Sequence, residues 1–360
     1  MQRKNKGRCH AISIHEYRQS LWAQDVYAKD LRRYIPKNYF KPVPRRILWL
    51  PFHYLLIFLF IFCVLKINNT LLNILFSVLA GHSMGCLFFV GHELVHGAVL
   101  KNKTMIYWFA AFCFLPWGLH PAAWTNAHNR MHHQHTQSTT KDPDCWGKGK
   151  YRHNKIVRRL HDFLPGSGSV KSYTFLFWFF TFYSIYINWF ARHIFKKDRQ
   201  QLVSKLFFIT VHTIWIFTAA AFHKWGFFFF FLIPAAVANF VVMSYIATNH
   251  FLNPLTEDTN DPLINSLSVS TGKFWNFWHL NFSYHTEHHI FPYMSPEYAP
   301  FVSRLLCEKY PDKYNRMSHL RALRLLYSKP KFYADELTLE HPVTKIKSPT
   351  LLVDEMLSDF

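Results

Sequence analysis

"ILWLPFHYLLIFLFIFCVL", residues 47–65, contains no formally charged side chain. An α-helix rises 1.5 Å per residue and a bilayer hydrocarbon core is about 30 Å thick, so about 20 apolar residues in a row are enough to cross it. This run has that length. Pro42, Pro44 and the pair Arg45 and Arg46 stand just before it, at the end of a polar, strongly basic stretch covering residues 1–46. After it, "KINNT" makes a brief turn and a second apolar run occupies residues 71–90, which together predict a helical hairpin. Residues 206–222 and 227–247, joined through "HKWG", predict a second one. Two further apolar blocks read differently. Residues 104–119 are short for a crossing and include Pro116 and Gly118, so they predict an interfacial or re-entrant segment. Residues 173–191 are rich in Trp and Tyr and flanked by basic stretches on both sides, which suits a helix lying in the headgroup layer. The expected fold class is all-α integral membrane, with four transmembrane helices in two hairpins, interfacial helices, and a histidine-rich cap.

The 360 residues include 37 Phe and 12 Trp, gathered into blocks that a soluble core rarely requires. A net charge of +20 suits either nucleic acid or a face against anionic lipid. Nucleic acid is disfavoured, because no zinc-finger spacing, RNP-like pattern or basic zipper helix accompanies the charge. The positive-inside rule instead places residues 1–46, 128–171 and the linker "RHIFKKDRQQLVSK" in the cytosol. Everything from Thr248 onward is expected to return there. The expected organisation is a basic arm over residues 1–46, a catalytic membrane domain over 47–300 and a cytosolic tail over 301–360. Six cysteines, at positions 9, 63, 86, 113, 145 and 307, form no CxxC pair and indicate no disulfide framework. The basic N-terminus is not followed by an apolar core, so no cleavable signal is expected. There is no internal repeat, and "GSGS" at residues 166–169 reads as a loop.

Three histidine clusters follow from this topology on one face of the membrane. His92 and His96, in "GHELVHG", are spaced i, i+4 at a helix end and can grip one ion, while Glu93 points off that face. Taken alone, such a pair is as well explained by hydrogen bonds near the headgroups. In "AHNRMHHQHTQ", His128 and His132 share a helical face and His133 points about 100° away, toward a neighbouring ion. His135 reads as a further ligand or a loop residue, the loop being preferred because a helix would carry it toward another face. His285, His288 and His289, in "YHTEHHIF", repeat the pattern. His250 lies just past the final span and either completes a ligand shell or ends a helix, with Asn249 contributing a hydrogen bond or water contact. One zinc ion takes four protein ligands or fewer, and the eight clustered histidines exceed that, so two ions are expected. Residue type does not name the metal, since imidazole serves zinc, copper, iron and nickel. Glu93, Asp142, Asp144, Asp258, Asp261 and Glu287 are the carboxylates near enough in sequence to accept a free ring N–H.

The three boxes "HELVH", "HNRMHH" and "HTEHH", around two hairpins, resemble those of the membrane fatty acid desaturases and their hydroxylase relatives, over residues 47–300. The resemblance implies two non-haem iron ions at the cytosolic surface, held by His92, His96, His128, His132, His133, His285, His288 and His289, with His250 matching an extra ligand. It implies O2-dependent desaturation of fatty acyl chains. His285 stands where desaturases acting between an existing double bond and the carboxyl end often have Gln, which argues against that subgroup. No "HPGG" haem stretch is present, so electrons are expected from a separate donor of ferredoxin or cytochrome type. Some relatives place the Asn a helical turn before the position that Asn249 occupies. An apolar tunnel is expected; residues 104–119 and 173–191 are candidates for its mouth, although packing or lipid contact explains their composition more often. The same metal pair would also serve hydroxylation or ketolation of a carotenoid, sterol or other lipid. "HELVH" satisfies the zinc-protease pattern as well, but that reading needs a downstream acidic ligand and leaves two boxes idle. A metal transporter is disfavoured by the few ionisable residues in the spans.

Overall fold

The long apolar runs fold as helices in the structure, a computed structural model that describes residues 13–195, 197–222 and 224–351. In chain order the elements that position the site are α1 (Gln24–Leu31), α2 (Pro44–Lys66), α3 (Thr70–Val95) and α4 (Lys103–Phe114). They are followed by α5 (Phe175–Ile185), α6 (Asp198–Phe222), α7 (Phe227–His250), α8 (Lys273–Trp278), α9 (His285–Ile290) and α10 (Ala299–Lys309). Helices α2, α3, α6 and α7 are long and apolar enough to cross a membrane, which gives the expected four, and the protein is mostly helical. Two short β-ladders fix the C-terminal half. Ser268–Ser270 pairs in parallel with Arg316–Ser318, while Phe332–Tyr333, Thr338–Glu340 and Lys347–Pro349 form an antiparallel ladder.

Local chemistry explains how the spans meet. The Asn69 side chain accepts a hydrogen bond from the Leu72 amide at 3.1 Å and so starts α3 after the turn from α2. Gly81 and Gly85, one helical turn apart on α3, face α7. A Cβ on Gly81 would lie 2.6 Å from the Pro234 carbonyl oxygen, and one on Gly85 would lie 2.8 Å from the Val241 Cβ. Small residues at i and i+4 thus let two apolar helices touch backbone to side chain, the usual means of association in lipid. Because α3 ends beside His92 and α7 ends at His250, this close approach brings two histidine-bearing ends together. Helix α6 is the opposite case. Ile214 and Phe217 are exposed, as expected of a face turned to lipid.

The 104–119 and 173–191 blocks form α4 and α5, neither long enough to count among the four spans. Helix α5 packs on α7, where the Asn239 side chain accepts from the Thr181 amide at 2.8 Å. Helix α8 does not lie clear of the spans: Phe277 packs 5.1 Å from Trp49, and Trp278 lies 5.8 Å from Phe52 and 6.1 Å from His53. Its "FWNFW" run is too short to register as a crossing, yet its exposed Phe274 and Phe277 suit only an apolar surround.

The arm before the first span is folded onto the end of the chain. Tyr27, Leu31 and Ile35 share a buried cluster with Ile290, Val302, Leu306 and Tyr314. Asp261 caps the next short helix through the Leu263 amide and also accepts from the Trp22 amide at 2.8 Å and the Tyr27 hydroxyl at 3.1 Å.

Candidate metal centre

Nine histidines come together in two adjoining groups. His92, His96, His128, His133 and His288 form one, and His132, His250, His285 and His289 form the other; within each, one ring nitrogen per residue lies within 4.8 Å of all the rest. Every predicted box histidine is present. The groups meet where the His133 and His289 rings stand 4.3 Å apart. All nine are buried except His288, which keeps partial exposure.

The sorting within the boxes differs from the expected one. Residues Thr125–His132 form a π-helix, whose i→i+5 bonding widens the turn. Five residues then separate neighbours on one face, so His128 joins His133 and leaves His132 to the other group. In an α-helix His128 and His132 would have stayed together. Helix α9 is a true α-helix, and there His285 keeps its i+4 partner His289 while His288 crosses to the first group. His135 is half-buried and belongs to neither group; it ends a short helix, His133–His135, where a loop was expected. Asn249 also belongs to neither. Its carbonyl accepts from the Leu267 amide at 2.9 Å, while its buried side-chain amide has no hydrogen-bond partner among the described residues.

Hydrogen bonding between the rings does not account for their arrangement. The His128 Nε2 stands 2.8 Å from the His92 Nε2 and 3.1 Å from the His133 Nε2, which itself stands 3.1 Å from the His288 Nε2. In the second group the His285 Nε2 is 2.6 Å from that of His250 and 3.1 Å from that of His289. A neutral ring nitrogen is a donor or an acceptor, never both, so a single Nε2 serves one such neighbour. A shared cation satisfies all of them. Metal–imidazole bonds are about 2.0–2.1 Å long, and two such nitrogens at right angles around one ion stand about 3 Å apart. Both ring nitrogens of buried His96 and the Nδ1 atoms of His128, His133 and His285 have no hydrogen-bond partner among the described residues, which again suits a ligand set.

Several groups hold the rings from behind. The His132 Nδ1 lies 3.0 Å from Asp142 Oδ1 and 3.5 Å from Asp144 Oδ2, the His250 Nδ1 lies 3.0 Å from the Asn265 carbonyl, and the His289 Nδ1 lies 3.3 Å from the Thr136 hydroxyl. Asp142 is itself fixed by accepting from the Gln137 and Asp144 amides, each at 2.8 Å. Burial and neighbouring imidazoles hold His128, His133, His285 and His289 well below the ordinary histidine range, and burial brings His288 down to about 3. These rings are neutral at pH 7, the form that binds metal. Burial would lower His132 too, but Asp142 and Asp144 outweigh it and raise the ring above its usual value. Burial pushes Asp144 up to about 7.

Of the six carboxylates named from sequence, only Asp142 and Asp144 stand beside a box ring. Glu93 is bound by Arg46 through Nε at 2.5 Å and through Nη2, and belongs to neither group. Glu287 accepts from Ser268 at 2.6 Å and from the Tyr314 hydroxyl, anchoring α9 from its far side. Arg46, Thr136 and Asn265 were not foreseen. Their partners are distant in sequence, and no local pattern marks them. Replacing Asp142 by Asn keeps the side-chain shape but removes the charge behind His132. We expect metal affinity of the second group to fall about 10–100-fold, measured by competition with a chelator; unchanged affinity would free Asp142 of any orienting role.

Three spaces lie nearby. A cavity of about 320 Å³ is lined by Trp146, Phe175, Phe179, Tyr183 and Tyr333, and the Tyr183 hydroxyl donates to Asp144. A space of about 10 Å³ touches His92, His285 and His288 directly and shares Asn281 and Tyr284 with a groove of about 840 Å³. The 173–191 block lines the first cavity, which is separate from the groove that reaches the rings. The 104–119 block lines none of these spaces, because Phe114 and Trp117 are fully buried against Phe88 in the core.

Four spanning-length helices and buried imidazoles that could hold metal are the features of a membrane metalloprotein. A family model, fatty acid desaturase, matches residues 69–321, most of the chain, and the protein belongs to that family. Membership implies an oxidoreductase acting on a lipid in a membrane context. Among curated proteins none matches the chain.

Proposed function

We propose that the chain is an O2-dependent desaturase of fatty acyl chains, with one iron ion in each histidine group and electrons delivered by a separate ferredoxin- or cytochrome-type donor. The observation that carries this reading is the adjacency of a five-imidazole and a four-imidazole group. Five neutral nitrogens exceed what a single zinc ion takes, and an all-nitrogen set suits a redox-active first-row metal. When bound, the iron pair supplies the power to activate dioxygen and take hydrogen from an unactivated methylene, which side chains lack.

The chain's own residues do the positioning. His92, His96, His128, His133 and His288 hold one ion and His132, His250, His285 and His289 the other. Asp142, the Asn265 carbonyl and Thr136 orient three of the rings by their Nδ1 atoms. Phe282, 5.1 Å from the His92 ring and 5.9 Å from the His285 ring, keeps water from that side. The acyl chain lies in the groove beside Trp49, Phe52 and Phe277 and reaches the centre through the neck at Asn281 and Tyr284. Arg45 and Arg46 at the same end of α2 put this face toward the cytosol, with the chain crossing the membrane four times. A protease reading is weakened because the Glu93 carboxylate is engaged by Arg46.

The test is expression in a host of simple lipid profile, beside the His288→Ala variant. New unsaturated acyl species are expected with the native chain and none with the variant. An unchanged acyl profile with a hydroxylated lipid would transfer the reading to oxygen insertion, and one zinc per chain without a lipid product would end it.

A further inference from the structure

Ten residues before His92 on α3, about 15 Å along the helix axis, stands His82, outside both histidine groups. Its Nε2 faces the Nε2 of His279 at 3.0 Å, and the Cys86 sulfur, one turn along α3, lies 3.9 Å from the His82 Nδ1 and 4.0 Å from its Nε2. One donor atom from each of the three lies within 4.8 Å of the others. From these contacts we infer a third metal site, separate from the desaturase centre, in which His82, Cys86 and His279 hold a borderline-soft cation of the zinc class.

The donors have the chemistry for it. Two nitrogens and a thiolate sulfur suit zinc-class ions and disfavour the oxygen-seeking ones. Coordination takes the Cys86 thiolate, and its proton leaves to solvent. The Tyr245 hydroxyl lies 2.7 Å from the His279 Nδ1 and fixes that ring from behind, as partners of ligating histidines commonly do. The site is also set where polar groups are costly. It lies within the spanning length of α3, walled by Phe89 at 5.5 Å and Trp275 at 5.2 Å from the His279 ring, and polar side chains at such depth mark function by default. A further imidazole belongs to this layer. His53 is fully buried, lies 6.1 Å from Trp278, itself 6.3 Å from His82, and neither of its ring nitrogens has a hydrogen-bond partner among the described residues. The ion would clamp α3, which carries His92, to the segment that leads from His279 to His285. The first and third boxes would then be tied together at a second point, away from the reacting metals.

Sulfur makes the site separable from the boxes, which offer nitrogen alone. Cys86 is the only cysteine among the described residues that stands in a metal-capable group. The full chain in detergent, stripped of metal and loaded with Co2+, is expected to show a thiolate-to-cobalt charge-transfer band in the near ultraviolet. The band should vanish in Cys86→Ser and weaken strongly in His279→Gln, while the metal content of the box histidines stays at the native level. Absence of the band from the native chain would overturn the site, leaving a hydrogen-bonded chain from Tyr245 through the two rings to Cys86. A band that persists in Cys86→Ser would overturn it too. The native-chain measurement decides without any variant having to fold, and it is independent of whether the histidine groups desaturate a lipid.

Discussion

Alanine in place of His285 is expected to halve the iron content of the purified protein and abolish the lipid product. The four-imidazole group would keep three nitrogens, with His250 losing the ring that stands 2.6 Å from it. His96→Ala is the informative contrast. It takes one ring from the five-imidazole group and leaves four, so iron should remain near the native count while binding weakens. Both variants are expected to lose activity, because the proposed function needs both ions. Iron per chain and the acyl profile of the expressing host check this. Equal iron loss in both variants would show that the nine rings do not divide into two sets as they stand here.

Arg46→Ala carries the largest expected cost in stability. The guanidinium is buried, holds the Glu93 carboxylate with two nitrogens, and donates to the Leu280 carbonyl at 3.3 Å. Removing it strands a buried negative charge beside His92, and breaking such a pair from one side costs about 3–5 kcal/mol. Replacing both partners together, as Arg46→Met with Glu93→Leu, should recover most of that loss, since an apolar pair of similar volume carries no desolvation penalty. Unfolding in detergent measures both. A melting curve for Arg46→Ala that overlays the native one would show that the ion pair fixes geometry without contributing to stability.

The spans and the boxes were legible in the sequence because both rest on local rules. Residues 47–65 declare their helix by length and lack of charge, and His92 with His96 declare a shared face by spacing. His250 was legible only through its place after the last span, and it does sit in the four-imidazole group. The assignment of rings to groups was not legible. It turns on the π-helix at Thr125–His132, and nothing in "TNAHNRMH" distinguishes a π from an α turn. The pairing of Arg46 with Glu93 was hidden for another reason: the two residues are 47 apart and meet only once α2 and α3 have packed. Helix α8 escaped notice because six residues give no span and its aromatic side chains read equally well as loop or core.

The arm ahead of the first span rests on residues that a ribosome makes only after all four spanning-length helices. Tyr27 and Leu31 wait for Val302, Leu306 and Tyr314, and His92 waits for His288, so neither has its partner while the early hairpin is being inserted. Translation delivers about 5–20 residues per second, which leaves the nascent chain many seconds with half a set of imidazoles at the membrane surface. On the proposed function, the full ligand set therefore exists only once His288 has emerged, and a cell starved of metal would accumulate inserted but unloaded protein instead of halting its synthesis.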